Sequence, residues 1–254
     1  MRILMIGDVV GRPGRRAVQQ LLPGLLHDYD PALVIANGEN SAGGIGLTPD
    51  TVKELCDSGV DVVTTGNHVW AKKEIIPHMD GELPIIRPLN FPPGVPGRGF
   101  IQRKGVVVVN IIGRVFIGQY DCPFRAMDSF LSEIKAESKV IVVDFHAEAT
   151  SEKVAMGKYL DGRVSAVLGT HTHVPTSDTY IMPKGTAYVT DVGMVGPIDS
   201  VIGVDTQSAI RSFLTGMPHR FFVSEGPAMF DAIMVEVDEA SGRATGIKRI
   251  HLKE

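Results

Sequence analysis

The sequence contains 254 residues, of which 44% are hydrophobic and 21% charged, and its formal net charge is −4. This length predicts a single domain over 1–254, and the acidic balance excludes a basic surface that coats nucleic acid. The two cysteines, Cys56 and Cys122, form no CxxC pair, which excludes a disulfide scaffold and a zinc finger.

Strands and helices are predicted to alternate from the start of the chain. The periodicity predicts strand 2–7, helix 15–26, strand 32–36, helix 48–58, strand 61–65 and helix 71–79. Pro23 is expected to bend or shorten the first helix, because proline removes a hydrogen bond inside a helix. Thr48 and Pro49 combine an N-cap with a favourable first-turn proline, so the second helix is expected to begin there.

Prolines interrupt this alternation over 84–99, which we expect to be an extended loop with a hinge or substrate-loop role open to it. The remaining pattern predicts strand 106–112, helix 125–137, strand 140–145, helix 152–158, strand 164–168, a hairpin over 180–189, helix 205–214 and a hairpin over 232–252. We therefore expect an α/β fold, a four-layer α/β/β/α sandwich in which two mixed sheets pack face to face between helices.

Five of the predicted strands end on side chains of the types that bind hard or borderline metal ions. These residues are Asp8, Glu39 with Asn40, Asn67 with His68, His146, and His171 with His173. Ligands of open α/β sheets bind at the carboxyl ends of the strands, where these residues fall. Asp, Glu, Asn and His at one sheet edge indicate a metal-dependent enzyme.

A two-metal site needs an anionic bridge, because two cations ~3.5–4 Å apart repel each other. Glu39 is the best candidate for that bridge, with Asp8 and Asn67 on its two sides. If the stretch around Thr172 is extended, His171 and His173 lie on the same side and could serve adjacent ions. Taken singly, an aspartate after a strand and a glycine, such as Asp8, is more often a turn or cap residue than a metal ligand.

Glu39 and His146 also have interpretations other than metal ligation: Glu39 as a turn residue, and His146 as a hydrogen-bonded core histidine.

Other polar residues are weaker candidates for a functional role. The segment 11–15, which contains Arg12 and Arg15 and precedes a predicted helix N-terminus close to Asp8, could contact a phosphate, although a simple strand-to-helix turn is favoured for it; Arg114 is a weaker candidate. Asp191 and Glu148 could orient imidazoles, or could be ordinary capping residues.

The order of two motifs resembles the calcineurin-like metallophosphoesterase superfamily: Gly66-Asn67-His68, followed by His171 and His173 within 169–173. Two departures from the common pattern stand out. Asp8-Val9-Val10 lacks the histidine of the usual Asp-x-His motif, and Glu39 replaces the usual bridging aspartate. Both departures resemble the YmdB-like bacterial branch. The motifs that carry this similarity span nearly the whole chain, at 6–11, 37–40, 66–68, 144–150 and 191–194.

This resemblance implies two divalent or trivalent metal ions, with iron favoured over manganese, magnesium or zinc. It implies a first ion held by Asp8, Glu39, Asn40 and His173, and a second held by Glu39, Asn67, His146 and His171. It also implies a phosphodiesterase that hydrolyses small-molecule cyclic nucleotides, with 2′,3′-cyclic nucleotides favoured. A hydroxide shared by the ions is expected to attack phosphorus, with His68 as the general acid for the leaving oxygen.

Two alternatives to this function remain, a metal-dependent phosphomonoesterase and a regulatory sensor that binds metal or nucleotide. A dinucleotide-binding dehydrogenase is excluded, because Gly7, Gly11 and Gly14 do not fit the G-x-G-x-x-G spacing. No signal peptide is recognised, and no apolar run reaches the ~18 residues of a membrane span. We expect a cytoplasmic protein with no membrane partner and no stable nucleic-acid partner, whose apolar β-strands could support a homo-oligomer.

Overall fold

The computed structural model describes residues 1–134 and 139–254. Five α-helices occur in this part of the chain: α1 Gly11–Tyr29, α2 Pro49–Asp57, α3 Pro123–Glu133, α4 Thr150–Leu160 and α5 Thr206–Thr215. The strands of the first half are β1 Arg2–Val9, β2 Leu33–Asn37, β3 Val62–Thr64, β4 Phe100–Arg103, β5 Val106–Ile112 and β6 Ile141–His146. Those that follow are β7 Ala166–Thr170, β8 Tyr180–Ile181, β9 Ala187–Val189, β10 Met194–Pro197, β11 Ala228–Val237 and β12 Ala244–Lys253.

Two mixed six-stranded sheets organise these elements. The first has the order β12-β11-β10-β1-β2-β3, and β1, β2, β3 and β10 are parallel where they pair. The second has the order β4-β5-β6-β7-β9-β8, with four parallel central strands and antiparallel edge strands β4 and β8. Parallel neighbours bring the carboxyl ends of β1, β2 and β3 to one edge, and likewise those of β6 and β7.

Alternate residues of the central strands enter different hydrophobic cores. In β1, Leu4 packs in the core that contains Val18 of α1, whereas Met5 packs between the sheets in the core that contains Val108 of β5. The next residue of β5, Val109, lies in a third core with α3 and α4. The period-two alternation of strand side chains thus builds four layers, helices–sheet–sheet–helices. The predicted α/β/β/α sandwich is confirmed.

Some element bounds differ from the prediction. Helix α1 begins at Gly11 and continues through Pro23 to Tyr29, so the expected shortening is wrong; Pro23 lies on the exposed side of the helix. The predicted helix 71–79 is a 3-10 helix over Lys73–His78. The predicted end of helix 125–137 falls partly on 135–138, outside the described residues.

Strands β4 and β10 were not predicted, since both are only four residues long and the partners of β10, β1 and β11, are distant in sequence.

Among the described helices, none combines the length and hydropathy of a membrane span.

Candidate metal centre

The carboxyl ends of strands from both sheets meet at one place. The backbone N–H of His171, directly after β7, donates to Asp8 Oδ2 at the end of β1 over 3.1 Å. His146 at the end of β6 has its Nε2 3.0 Å from Asn67 Oδ1, which follows β3. Because the two sheets are packed face to face, the edge formed by the carboxyl ends of the strands of one sheet lies beside the same edge of the other. The residues predicted from separate strand ends therefore surround a common space.

The first group of donor atoms converges on the His146 imidazole. His146 Nε2 lies 2.9 Å from Glu39 Oε1 and 3.0 Å from His171 Nδ1, in addition to its contact with Asn67. Glu39 and His146 are fully buried. One imidazole nitrogen cannot satisfy three partners by hydrogen bonding, because it carries at most one proton. A cation among these four side chains would satisfy all of them.

Hydrogen bonds behind His146 determine which nitrogen faces this space. His146 Nδ1 lies 2.9 Å from Thr170 Oγ1, and the Thr170 hydroxyl donates to Asp144 Oδ1 over 2.7 Å. The hydroxyl has one proton, which goes to Asp144, so its oxygen accepts from Nδ1–H of His146. In the neutral imidazole, the form that metal binding requires, the Nε2 lone pair is then directed at Glu39. Such partners of the outer nitrogen are typical of metal-ligating histidines.

The second group contains Asp8, Asn40 and His173. His173 Nε2 lies 3.8 Å from Asp8 Oδ1 and 3.1 Å from Asn40 Nδ2. His173 Nδ1 donates to the carbonyl oxygen of Ile202 over 2.8 Å, which leaves the Nε2 lone pair for the site. Asp8 connects this group to the first one through its hydrogen bond with the backbone of His171.

Two orphaned carboxylate oxygens test whether metal ions fit these groups. Asp8 Oδ1 is buried and accepts no hydrogen bond from the residues that the structure describes, and the same holds for Glu39 Oε1 when the neutral His146 carries its proton on Nδ1. Buried acceptors without a partner are rare in proteins, because desolvation costs free energy that only a hydrogen bond or a cation offsets. Glu39, His146 and His171 also present their ligand atoms within 4.8 Å of one another. The donor set fits metal ions.

Without a bound cation, Glu39 and His146 form a buried ion pair: burial lowers the pKa of His146, but the charge and hydrogen bond of Glu39 outweigh it and raise this pKa to about 9. A bound cation would take the place of the extra imidazole proton. Burial raises the pKa of Glu39, but the charge and hydrogen bond of His146 and the contacts with His68 outweigh it and lower this pKa to about 2. Burial and the neighbouring His146 lower the pKa of His171 to about 3. Burial raises the pKa of Asp8, so ionised Asp8 needs positive charge nearby. Metal binding requires an anionic carboxylate and a neutral imidazole.

The backbone around the two histidines differs from the expectation. His171 and His173 have φ angles of 101° and 64°, so this stretch is not extended and the condition under which the two imidazoles would lie on the same side is not met. Asp191 holds the strained turn by accepting from the N–H and the hydroxyl of Thr172 over 3.1 and 2.8 Å. Strain of this kind persists only where surrounding contacts over-determine it. The turn directs the two imidazoles into different donor groups.

A glycine makes room for the His146 ring. At Gly66, the first residue of the Gly66-Asn67-His68 motif, a Cβ atom would lie 2.2 Å from His146 Cδ2. Any side chain at this position would displace the imidazole from Glu39 and Asn67.

Of the weaker candidates from the sequence, some contact a histidine of the donor groups and others contact only surrounding residues. Glu148 Oε2 lies 3.0 Å from His171 Nε2 and so contacts an imidazole. Asp191 contacts Thr172 and Lys153 rather than an imidazole. In the segment 11–15, Arg15 donates to Glu54 and to the carbonyl oxygen of Ser41 in the loop after β2, so its guanidinium is engaged away from a phosphate, whereas Arg12 is exposed. Arg114 bonds Glu152 through its backbone N–H.

Sequence reasoning assigned no role to Thr170, Asp144 or Lys153. A signal was available for Asp144, which lies two residues before His146 on the same strand and therefore on the same face.

His68 borders a cavity of about 580 Å³ that is also lined by Glu39, Asn40, His171 and His173. Its backbone N–H donates to Glu39 Oε2 over 3.0 Å, and its Nε2 lies 3.3 Å from Asn67 Nδ2.

The sequence model of a protein family, described as "YmdB-like protein", matches residues 4–250 of the chain. The chain belongs to the YmdB-like family. A relative from Bacillus subtilis, named 2′,3′-cyclic-nucleotide 2′-phosphodiesterase, is 47% identical over 258 residues, covering 100% of this chain and 98% of the relative. Membership of this family of metallophosphoesterases implies divalent metal ions, in agreement with the donor groups described above.

Solved structures agree with this assignment. A hypothetical protein from Thermus thermophilus superimposes with a TM-score of 0.94 at 47% identity, covering 100% of both chains. A phosphatase from Mycoplasma pneumoniae superimposes with a TM-score of 0.93 at 33% identity, covering 100% of this chain and 93% of that one. The sulfate thiohydrolase SoxB of Thermus thermophilus shares the fold alone, with a TM-score of 0.57 and 14% identity.

Proposed function

We propose that this protein is a metal-dependent phosphodiesterase that hydrolyses 2′,3′-cyclic nucleotides. The observation that carries the proposal is the pair of buried donor groups beside Glu39, which open into a cavity bordered by His68. The cavity volume of about 580 Å³ lies within the roughly 300–1,000 Å³ typical of small-molecule sites. The named activity of the Bacillus subtilis relative supports the choice of substrate.

Two metal ions complete the proposed centre. Asp8, Glu39, Asn40 and His173 would hold the first ion, and Glu39, Asn67, His146 and His171 would hold the second. When bound, such ions lower the pKa of water and neutralise charge on the phosphoryl oxygens. We propose iron, which the resemblance to metallophosphoesterases implies; the oxygen and imidazole donors suit it and also accept manganese, zinc or magnesium.

The chain's own residues position and protonate the substrate. His68 would give its proton to the ribose oxygen as the P–O bond to that oxygen breaks, while the water oxygen becomes bonded to phosphorus. The position of His68 supports this role, since it follows the proposed ligand Asn67 and borders the cavity. The hydrogen bond from the backbone N–H of His68 to the Glu39 carboxylate holds the proposed proton donor close to the proposed bridging ligand.

A phosphomonoesterase is the second candidate, favoured by the similarity to the Mycoplasma pneumoniae phosphatase. The cavity has an apolar wall that a phosphomonoester without a nucleobase would leave uncovered, so it favours a nucleotide substrate, and the activity named for the Bacillus subtilis relative favours the diester. That wall contains Ile202, Phe221 and Phe222.

The test compares a diester and a monoester with metal-reconstituted protein. We expect 2′,3′-cyclic AMP to be hydrolysed with a kcat/KM well above that for 3′-AMP, and the product to be 3′-AMP if the 2′ bond is cut. Faster hydrolysis of 3′-AMP than of the cyclic diester would favour the monoesterase. Binding of metal and nucleotide without turnover of either compound would refute both and favour a sensor.

A further inference from the structure

The cavity beside the donor groups has two chemically different walls. One wall carries the polar residues of the proposed metal centre. A second set of lining residues is apolar: Ile45, Ile202, Val204, Phe221, Phe222 and Val223. We call this set the apolar wall. None of its members belongs to the strand-end residues from which the site was predicted.

Backbone pairing makes the apolar wall a defined part of the fold. The N–H of Asp205 donates to the carbonyl oxygen of Phe222 over 2.9 Å, and the N–H of Ser224 donates to that of Gly203 over 3.0 Å. Val223 packs so closely on Gly44 that a Cβ atom there would lie 2.6 Å from its side chain. The wall is therefore anchored to the loop that carries Glu39 and Asn40.

Large side chains of this wall are exposed where burial would be expected. Ile202, Phe221 and Phe222 are 49%, 51% and 55% exposed, and all three line the same cavity. Apolar side chains grouped at the mouth of a polar site indicate a surface that a ligand covers. The ring of Phe222 is supported by the Arg220 guanidinium, which lies 5.1 Å from the ring centroid.

Ile202 links the wall directly to the proposed centre. Its φ angle of 48° is unusual for a β-branched residue, and strain of this kind is concentrated at functional sites. In this conformation its carbonyl oxygen accepts the hydrogen bond of His173 Nδ1. A ligand seated on the wall would thus lie next to a proposed metal ligand.

We propose that the apolar wall binds the nucleobase of the substrate, with Phe221 and Phe222 as the aromatic contacts. This inference rests on the proposed function and extends it to the part of the substrate away from phosphorus. Every nucleobase has an apolar π-face that stacks on aromatic side chains, so recognition by this wall selects nucleotides over other cyclic diesters. The inference predicts little discrimination among bases, because it involves no hydrogen bonds to base edges.

The experiment compares two substrates with the same reacting ring. One is 2′,3′-cyclic AMP, and the other is 1-O-methylribose 2′,3′-cyclic phosphate, which lacks the base. We expect the wild-type protein to prefer the nucleotide. The double variant Phe221→Ala/Phe222→Ala should reduce that preference in kcat/KM by about five- to 100-fold, mainly through KM, given the usual strength of base–aromatic stacking.

A matched control is Phe213→Ala, which removes a phenylalanine of α5 that is 85% exposed and does not line the cavity. It should retain the wild-type preference. The thermal midpoint and metal content of the double variant should match the wild type, which separates a binding effect from misfolding.

Two results would overturn the inference. The wild-type protein could hydrolyse both compounds with equal kcat/KM, or the double variant could keep the wild-type preference. If it keeps the preference while activity falls equally on both compounds, the wall has a structural role. Failure of the wild-type protein to hydrolyse either compound is a different outcome, because it refutes the proposed function itself.

Discussion

Lys153 provides a test of how the fold supports the proposed centre. Its side chain is 1% exposed, and Nζ donates to Asp191 Oδ2 over 2.6 Å and to the carbonyl oxygen of Thr170 over 2.7 Å. These two acceptors hold the strained turn that carries His171. The substitution Lys153→Met keeps most of the length of the side chain and removes the ammonium group. It leaves the Asp191 carboxylate buried without its cation.

The expected cost follows from the burial of this pair. Removing one partner of a fully buried ion pair destabilises a protein by about 3–5 kcal/mol. The unfolding entropy of a 254-residue chain is about 0.5 kcal/mol per kelvin near the midpoint. The melting temperature should therefore fall by about 6–10 °C. Because Asp191 also holds Thr172, metal affinity should fall by about 10–100-fold.

The assay is thermal unfolding by calorimetry of metal-free protein, followed by metal titration. Lys158→Met on the same helix is the matched control, because Lys158 is exposed and, among the described residues, its ammonium group contacts the hydroxyl and the ring of Tyr180. It should cost less than about 1 kcal/mol. A melting temperature of Lys153→Met within about 2 °C of the control, well short of the expected fall, would refute the reasoning. The double variant Lys153→Met/Asp191→Asn should recover part of the loss, because it removes the unpaired charge.

The remaining predictions concern the centre itself. His68→Ala should keep its metal and lose about 10²–10⁴-fold in kcat; metal analysis beside initial rates checks this, and loss of metal would make His68 a ligand instead. Glu39→Gln should bind fewer than two ions per chain by elemental analysis, since the proposed bridge loses its charge; two retained ions would refute the bridge. Thr170→Val should weaken metal binding about 10–100-fold in a titration, because His146 loses the acceptor that orients it; unchanged affinity would contradict that role.

Local signals predicted much of the fold. The Thr48 side chain accepts from the N–H of Thr51 at the start of α2, and Asp205 accepts from Ser208 at the start of α5, as expected of N-caps. Such caps act over three residues, so they can be recognised in the sequence. Strands β4 and β10 were not predicted because a strand of four residues shows too little alternation of apolar and polar side chains to be recognised. The strands that pair with β10 are also distant in the sequence.

The sequence by itself determined the kinds of side chain at the strand ends and the alternation that places them at one edge. Only the tertiary structure decided which atoms meet. Glu39 and His146 are 107 residues apart and approach to 2.9 Å because the two sheets pack face to face. The conformation of the turn at His171 and His173 likewise depends on Asp191, and the apolar wall on pairing between distant loops. Contacts of this kind are non-local, so no spacing along the chain records them.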